Sequence, residues 1–137
     1  MNKKGIYKLL LALLCIPFIS SSCNKSNEPQ SDPSATVIVS FQKDVQPIFN
    51  HNCISCHPNS GNMSLLEGEA YDNLVDVVSP NYNVVRVSPF HADSSVICFK
   101  LHGIEEYGFL MPLNGIPLEE AEIKVIEDWI DQGALNN

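Results

Sequence analysis

Cys53-Ile54-Ser55-Cys56-His57 is the segment that most restricts what this chain can become. Two cysteines separated by two residues, with histidine following at once, bring two thiols and an imidazole into one turn of backbone. From this composition a C-x-x-C-H string arises by chance on the order of one time in two hundred. The other cysteines are Cys15, Cys23 and Cys98, so no second C-x-x-C is present.

Four chemistries use such a string. A structural zinc site takes four N or S ligands, and only three cluster here. A thioredoxin-like pair needs a βαβ setting, whereas the residues before Cys53 read as helix. A plain disulfide suits an oxidising compartment but leaves His57 without a part. Covalent haem attachment uses all three groups. Thiols at this spacing reach the two vinyl groups on one haem edge, and the next residue is then held under the iron as proximal ligand. The motif therefore predicts one haem c, bound through Cys53 and Cys56 and ligated by His57.

The start of the chain fits that chemistry. Lys3, Lys4 and Lys8 precede an apolar run from Leu9 to Ile19, then Ser20-Ser21-Ser22 and Cys23. This is the layout of a secretory signal peptide. The run of about 11 residues is short of the roughly 18 expected of a transmembrane helix. A cysteine directly after small residues resembles the lipobox of bacterial lipoproteins, although Ser20 stands where leucine is usual. That resemblance implies lipid on Cys23. The expected organisation is a signal segment over 1–22, a flexible tether over 23–36 and one domain over 37–137. The tether is rich in Asn, Ser, Pro and Gln and has little to bury.

Cleavage after residue 22 would remove three of the eight basic residues and none of the 16 acidic ones. Five against 16 leaves a formal charge of −11. Such a surface argues against nucleic acid and against adsorption to anionic lipid. It keeps the protein soluble and favours encounter with a basic redox partner.

The domain reads as short helices separated by long loops, an all-α class. Asp44 is a candidate cap, with Pro47 in the first turn and Val45, Ile48 and Phe49 on an apolar side. A second helix is expected over 69–78, where Tyr71, Leu74, Val75 and Val78 recur at helical spacing. Val84 to Val87 suggests a brief extended piece. A third helix is expected from Asp93 or Ser94 to about His102, stopped by Gly103. The last runs from about Leu118 to Gln132, with Glu119, Glu120 and Glu122 at its start, as the helix dipole favours. Ile123, Ile126 and Ile130 share one of its faces. So small a domain has a thin core, which a buried cofactor would complete. Cys98, in Val96-Ile97-Cys98-Phe99, reads as a buried apolar thiol.

A sixth iron ligand has several candidates: Met63, Met111, His51, His91 and His102. Met111 lies in Gly108-Phe109-Leu110-Met111-Pro112, a loop fixed by proline just before the last helix, and can reach back over a haem. Met63 is too near His57 to reach the opposite face. A histidine or an open position remains the alternative.

Phe41, Asp44, Val45, Pro47 and Ile48, then Cys53 to His57, Met111-Pro112, and Trp129-Ile130-Asp131-Gln132-Gly133-Ala134 together resemble the planctomycete-type cytochrome c domain, related to class I cytochromes c. The likeness spans Phe41 to Ala134. It implies a cytochrome c-like fold in which the first and last helices cross, with Phe49 and Trp129 as aromatic contacts there. It also implies covalent haem, His57 and Met111 as axial ligands, and electron transfer. The chain departs from the pattern at Pro58, Met63 and Leu113, where that family often has glycine, leucine and proline.

The expected function is a mono-haem electron carrier of the bacterial cell envelope, lipid-anchored through Cys23 and facing the periplasm or cell surface. No catalytic constellation is visible. Glu105-Glu106 and Glu119-Glu120 read as a loop and a helix start. The alternative is a haem-based sensor or peroxidase-like enzyme with an open or displaceable distal ligand.

Overall fold

The chain enters its first helical turn three residues before Asp44. In the computed structural model, which describes residues 37–113 and 115–137, a π-helical turn spans Phe41–Val45 and runs into α1, Gln46–Asn52. Ser40, in extended backbone, is the cap: its Oγ accepts from Lys43 N at 3.3 Å. The Asp44 carboxylate accepts in return from Ser40 N at 2.7 Å. Asp44 thus closes the cap from inside rather than forming it. The earlier start buries both Phe41 and Val45, 1% and 0% exposed. The signal segment, Cys23 and the tether fall on residues 1–36, outside the described residues.

Three further α-helices follow: α2, Ala70–Leu74; α3, Val96–Leu101; and α4, Glu120–Asp131. Short 3-10 turns lie at Ala92–Ser94 and Glu105–Tyr107. The domain is all-α, as expected, and its β pairing among the described residues is two isolated bridges, Val75 with Val87 and Val78 with Val85. Those bridges explain why α2 stops well short of residue 78. Val75 turns extended, Asp76 takes a positive φ of 58°, and Asp76 N donates to Val87 O at 3.0 Å. Three valines within four residues favour that pairing over further helix. Val84–Val87 is the extended piece the sequence suggests.

The last helix is built as its sequence reads. Glu119 caps α4 and Glu122 returns the bond, a capping box. Ile123, Ile126, Trp129 and Ile130 are buried along one side. That side meets the first helical turn through Phe41. The Phe41 ring lies 5.0 Å from Trp129 and 6.2 Å from Phe49, centroid to centroid, so it stands between the two rings expected to mark the crossing. Tyr71 joins the cluster at 5.5 Å from Phe41, and its hydroxyl donates to Ala134 O at 3.0 Å. Hydrogen bonds join the chain around the first turn to the chain after α4: Gln42 N donates to Asn137 O at 3.0 Å, and Val39 N to the side-chain Gln132 Oε1 at 2.8 Å. Among the described residues no helix is long and apolar enough to cross a membrane.

Gly133 closes α4 in a way no other residue can match. Its φ is +103°, and a Cβ there would lie 2.8 Å from Phe90 Cζ. Phe90 N–H donates to Ile130 O at 2.8 Å, which ties its backbone to the end of α4, while its side chain is 66% exposed. Gly133→Ala combines left-handed strain with an aromatic ring that must swing outward, so a loss of about 1–3 kcal/mol is expected in urea unfolding. Adding Phe90→Ala should recover part of it. A loss below about 0.5 kcal/mol, the usual range for surface changes, would contradict this account of the helix end.

Candidate functional site

Cys53 is the C-cap of α1, and the chain keeps turning beyond it. Cys53 N donates to Phe49 O at 2.8 Å, Cys56 N to Cys53 O at 3.1 Å and His57 N to Cys53 O at 3.0 Å. This short coil sets Cys53, Cys56 and His57 into the wall of one cavity of about 410 Å³. That volume is within the range of about 300–1,000 Å³ typical of cofactor pockets. Leu65, Leu74, Val96, Ile97 and Leu101 make its apolar lining, and Met111, Pro112 and Leu113 line it from the loop before α4. The four residues expected to hold haem, Cys53, Cys56, His57 and Met111, therefore share one cavity although 58 positions separate the first from the last.

His57 is oriented by a short local bond. Its Nδ1 lies 2.8 Å from Ser60 O. A carbonyl only accepts, so Nδ1 carries the proton and Nε2 keeps a free lone pair. The segment after it is pinned in turn: Leu65 N donates to His57 O at 2.7 Å, and Gln46 Nε2 donates to Leu65 O at 3.0 Å. Gly61 has a positive φ of 71°, and a Cβ there would sit 3.6 Å from His57 Cε1. Met111 is tied to α3 by its N–H, which donates to Lys100 O at 3.0 Å.

The remaining candidates fall elsewhere. Met63 does line the cavity, half-buried against the core, which suits a packing role beside His57. His51, His91 and His102 are exposed and none lines the cavity. His102 Nε2 instead lies 2.7 Å from Glu127 Oε1 on the surface. Cys98 is buried in the core, as expected.

The geometry also bears on the rival chemistries. Cys53, Cys56 and Cys98 are free thiols. Among the described residues no three His, Cys, Asp or Glu side chains group so as to hold a metal ion. Burial, with Glu122 and then Cys56 adding, pushes the Cys53 thiol up to about 11. A reactive thiol pair needs the opposite shift. Burial and the acids Glu127, Asp131 and Asp93 push Cys98 up to about 12.

Sequence reasoning passed over Arg86, Tyr82 and Lys100, all in the cavity wall. Lys100 Nζ lies 5.2 Å from the Tyr82 ring centre, and Tyr82 OH donates to Tyr107 O at 2.6 Å. Arg86 did leave a signal. It is the one arginine of the chain and interrupts a valine run, Val84-Val85-Arg86-Val87. Burial pulls its pKa below the ordinary guanidinium value.

No family model matches the chain, and no curated protein does. Among solved structures it is similar to Kuenenia stuttgartiensis hydrazine synthase, with a TM-score of 0.49 and 25% identity. That match covers 70% of this chain and 16% of the other.

The raised thiols give a direct expectation. In the folded chain with its thiols free, at pH 8, exposed Cys56 should be alkylated by iodoacetamide well before Cys53 and Cys98. A thiol at about 11 is only about one part in a thousand thiolate at that pH. Peptide mapping should show both slow cysteines speeding up as pH rises towards 11. Equal rates for all three at pH 8 would show that Cys53 and Cys98 are not shielded as described.

Proposed function

We propose that this chain is a mono-haem c-type cytochrome that carries single electrons in the bacterial cell envelope. One observation carries the reading: Cys53, Cys56, His57 and Met111 converge on a single apolar cavity of cofactor size. The donor set fits the group. Two thiols at C-x-x-C spacing suit thioether attachment, a ring with Nε2 free suits the proximal position, and a thioether from a separate loop suits the sixth.

When bound, haem supplies an iron that gains or loses one electron. The chain supplies the rest. Cys53 and Cys56 hold the cofactor by covalent bonds, so it is not lost outside the cell. His57 presents Nε2, and its Nδ1–H bond to Ser60 O makes the ring a more basic ligand. Met111, which lines the same cavity, would supply a neutral, soft ligand that favours the reduced state and raises the potential. The leucine, valine and isoleucine side chains of the wall give a flat cofactor an apolar surface to pack against. With Met111 as a second protein ligand no position would be left for a substrate, and the chain would then serve as a carrier rather than as a sensor or peroxidase-like enzyme. The acidic surface, −11 without residues 1–22, favours a basic redox partner and disfavours nucleic acid. The signal-like start and Cys23 support export and a lipid anchor facing the periplasm or cell surface.

The native protein purified from the envelope should give the haemochrome spectrum of a c-type cytochrome, and Cys53→Ala should abolish or shift it. Met111→Ala should remove the methionine-to-iron charge-transfer band of the ferric form and lower the reduction potential. A colourless wild-type protein would sink the haem reading. An unchanged band in Met111→Ala would sink the axial assignment alone.

The anchor has its own test. Cells fed radiolabelled palmitate should yield labelled protein in the membrane fraction, and Cys23→Ser should release it unlabelled. Unlabelled wild type with the same fractionation as Cys23→Ser would leave a soluble exported form.

A further inference from the structure

The cavity wall contains a buried cation with no anion beside it. Arg86 is 7% exposed, and it belongs to neither ion pair found among the described residues. Its guanidinium donates instead to three backbone carbonyls: Asn73 O at 2.7 Å, Asn62 O at 3.0 Å and Gly61 O at 3.3 Å. Taking a guanidinium out of water is costly, and losing its partners would be costlier.

Two of those carbonyls belong to the turn that follows His57. Gly61 and Asn62 take consecutive left-handed conformations, φ +71° and +55°. Such a pair is unfavourable by itself for Asn62. It also swings the two carbonyls out of any helical pattern, so they need donors from elsewhere. Arg86 provides both from one planar fork. The carbonyl immediately before the pair, Ser60 O, is the acceptor for His57 Nδ1–H at 2.8 Å. The third bond, to Asn73 O, ties the same guanidinium to α2, whose Asn73 Oδ1 accepts from Ser64 N at 3.3 Å. The turn is thus braced at both ends and in the middle.

We infer that Arg86 is a positioning residue for His57. By clamping the Gly61 and Asn62 carbonyls, it holds Ser60 O against Nδ1–H. That bond fixes the tautomer in which Nε2 is the free nitrogen. The clamp rests on the haem reading only for what Nε2 meets. Lysine cannot replace the fork: it carries the charge but has no planar fork with which to span three separated carbonyls. Charge and geometry therefore separate by substitution.

The test uses the haem-loaded protein in its reduced, diamagnetic state, with NMR following the His57 Nδ1 proton. In wild type that proton exchanges slowly with deuterated solvent. Arg86→Lys and Arg86→Gln should each speed the exchange by about 10-fold, the worth of one hydrogen bond. Arg86→Lys should also raise the reduction potential, since a weaker bond at Nδ1 makes the imidazole a poorer donor to iron. If the lysine variant matches wild type in exchange and potential while the glutamine variant does not, Arg86 acts as a charge and the positioning role is refuted. It is refuted equally if neither variant changes the exchange. Should Arg86→Gln fail to fold, the lysine variant decides, and an unprotected Nδ1 proton in wild type overturns the clamp outright. A protein exported without haem would end the reading of the previous subsection and not this one. The nitrogen-15 shifts of His57 in the protein as purified would then report the tautomer. Nδ1–H is expected in wild type and a mixture in both variants; a mixture in wild type would refute the clamp.

Discussion

The contact of Phe41 with Trp129 is the constraint on which the rest of this domain depends. The rings are 5.0 Å apart and both are out of solvent, 1% and 0% exposed. They join the first helical turn to the last helix, and hydrogen bonds from Gln42 and Val39 to Asn137 and Gln132 seal the same seam. Burying a large aromatic side chain is worth roughly 1.5–3 kcal/mol, and edge contacts among rings add to that. Phe41, Phe49, Tyr71 and Trp129 therefore supply a large share of the core of a small all-α domain. With its ends joined, the chain between them is free to be mostly loop. Those loops carry the cavity wall.

What could be read from the residues divides by the range of the forces involved. The last helix was legible because its signals are local: acids at the start, isoleucines at helical spacing and Gly133 at the end. The thiol–imidazole coil was legible because it occupies five consecutive residues. The start of the first helix was misplaced, because Asp44 is a good cap in isolation and only the need to bury Phe41 moves the cap to Ser40. The second helix was drawn too long for a similar reason. Tyr71, Leu74, Val75 and Val78 fit a helical face, but Val75 and Val78 pair instead with Val87 and Val85, partners from another part of the chain. Periodicity cannot register such a partner. Met111 reached the cavity as its proline-fixed loop suggested, yet the residues behind the cavity wall were not readable. Arg86 matters through three carbonyls, and a sequence does not show where carbonyls point.

The cavity also explains the uneven distribution of apolar surface. Leu65, Leu74 and Leu101 are buried, and they also line the cavity. They belong to the buried core and also wall the space beside His57. A domain that left that space to water would expose one side of its own core. A flat apolar cofactor would complete the packing that four short helices cannot finish, so the same leucines contribute to folding and to binding. Attachment through Cys53 and Cys56, as proposed, would make that completion permanent. Cys53 stands at the C-terminal end of α1, the helix whose Phe49 packs into the ring cluster.

The supports around His57 are those that its proposed role as an iron ligand would require. Such a ring would need one nitrogen free and a fixed plane, and a lone imidazole on a loop has neither. Ser60 O supplies the first by accepting from Nδ1. Fixing the plane requires that Ser60 itself not move, and Ser60 lies in a turn with two left-handed residues after it. A turn of that kind holds its shape only if the outward carbonyls are bonded. Water could bond them, but water exchanges and allows the turn to relax. A buried guanidinium does not exchange, and its planar fork defines directions as well as distances. Among the described residues no carboxylate pairs with Arg86, which fits this use, since an acid would draw the fork away from the carbonyls. The single arginine of an acidic chain is thus placed where geometry, more than charge, is in demand.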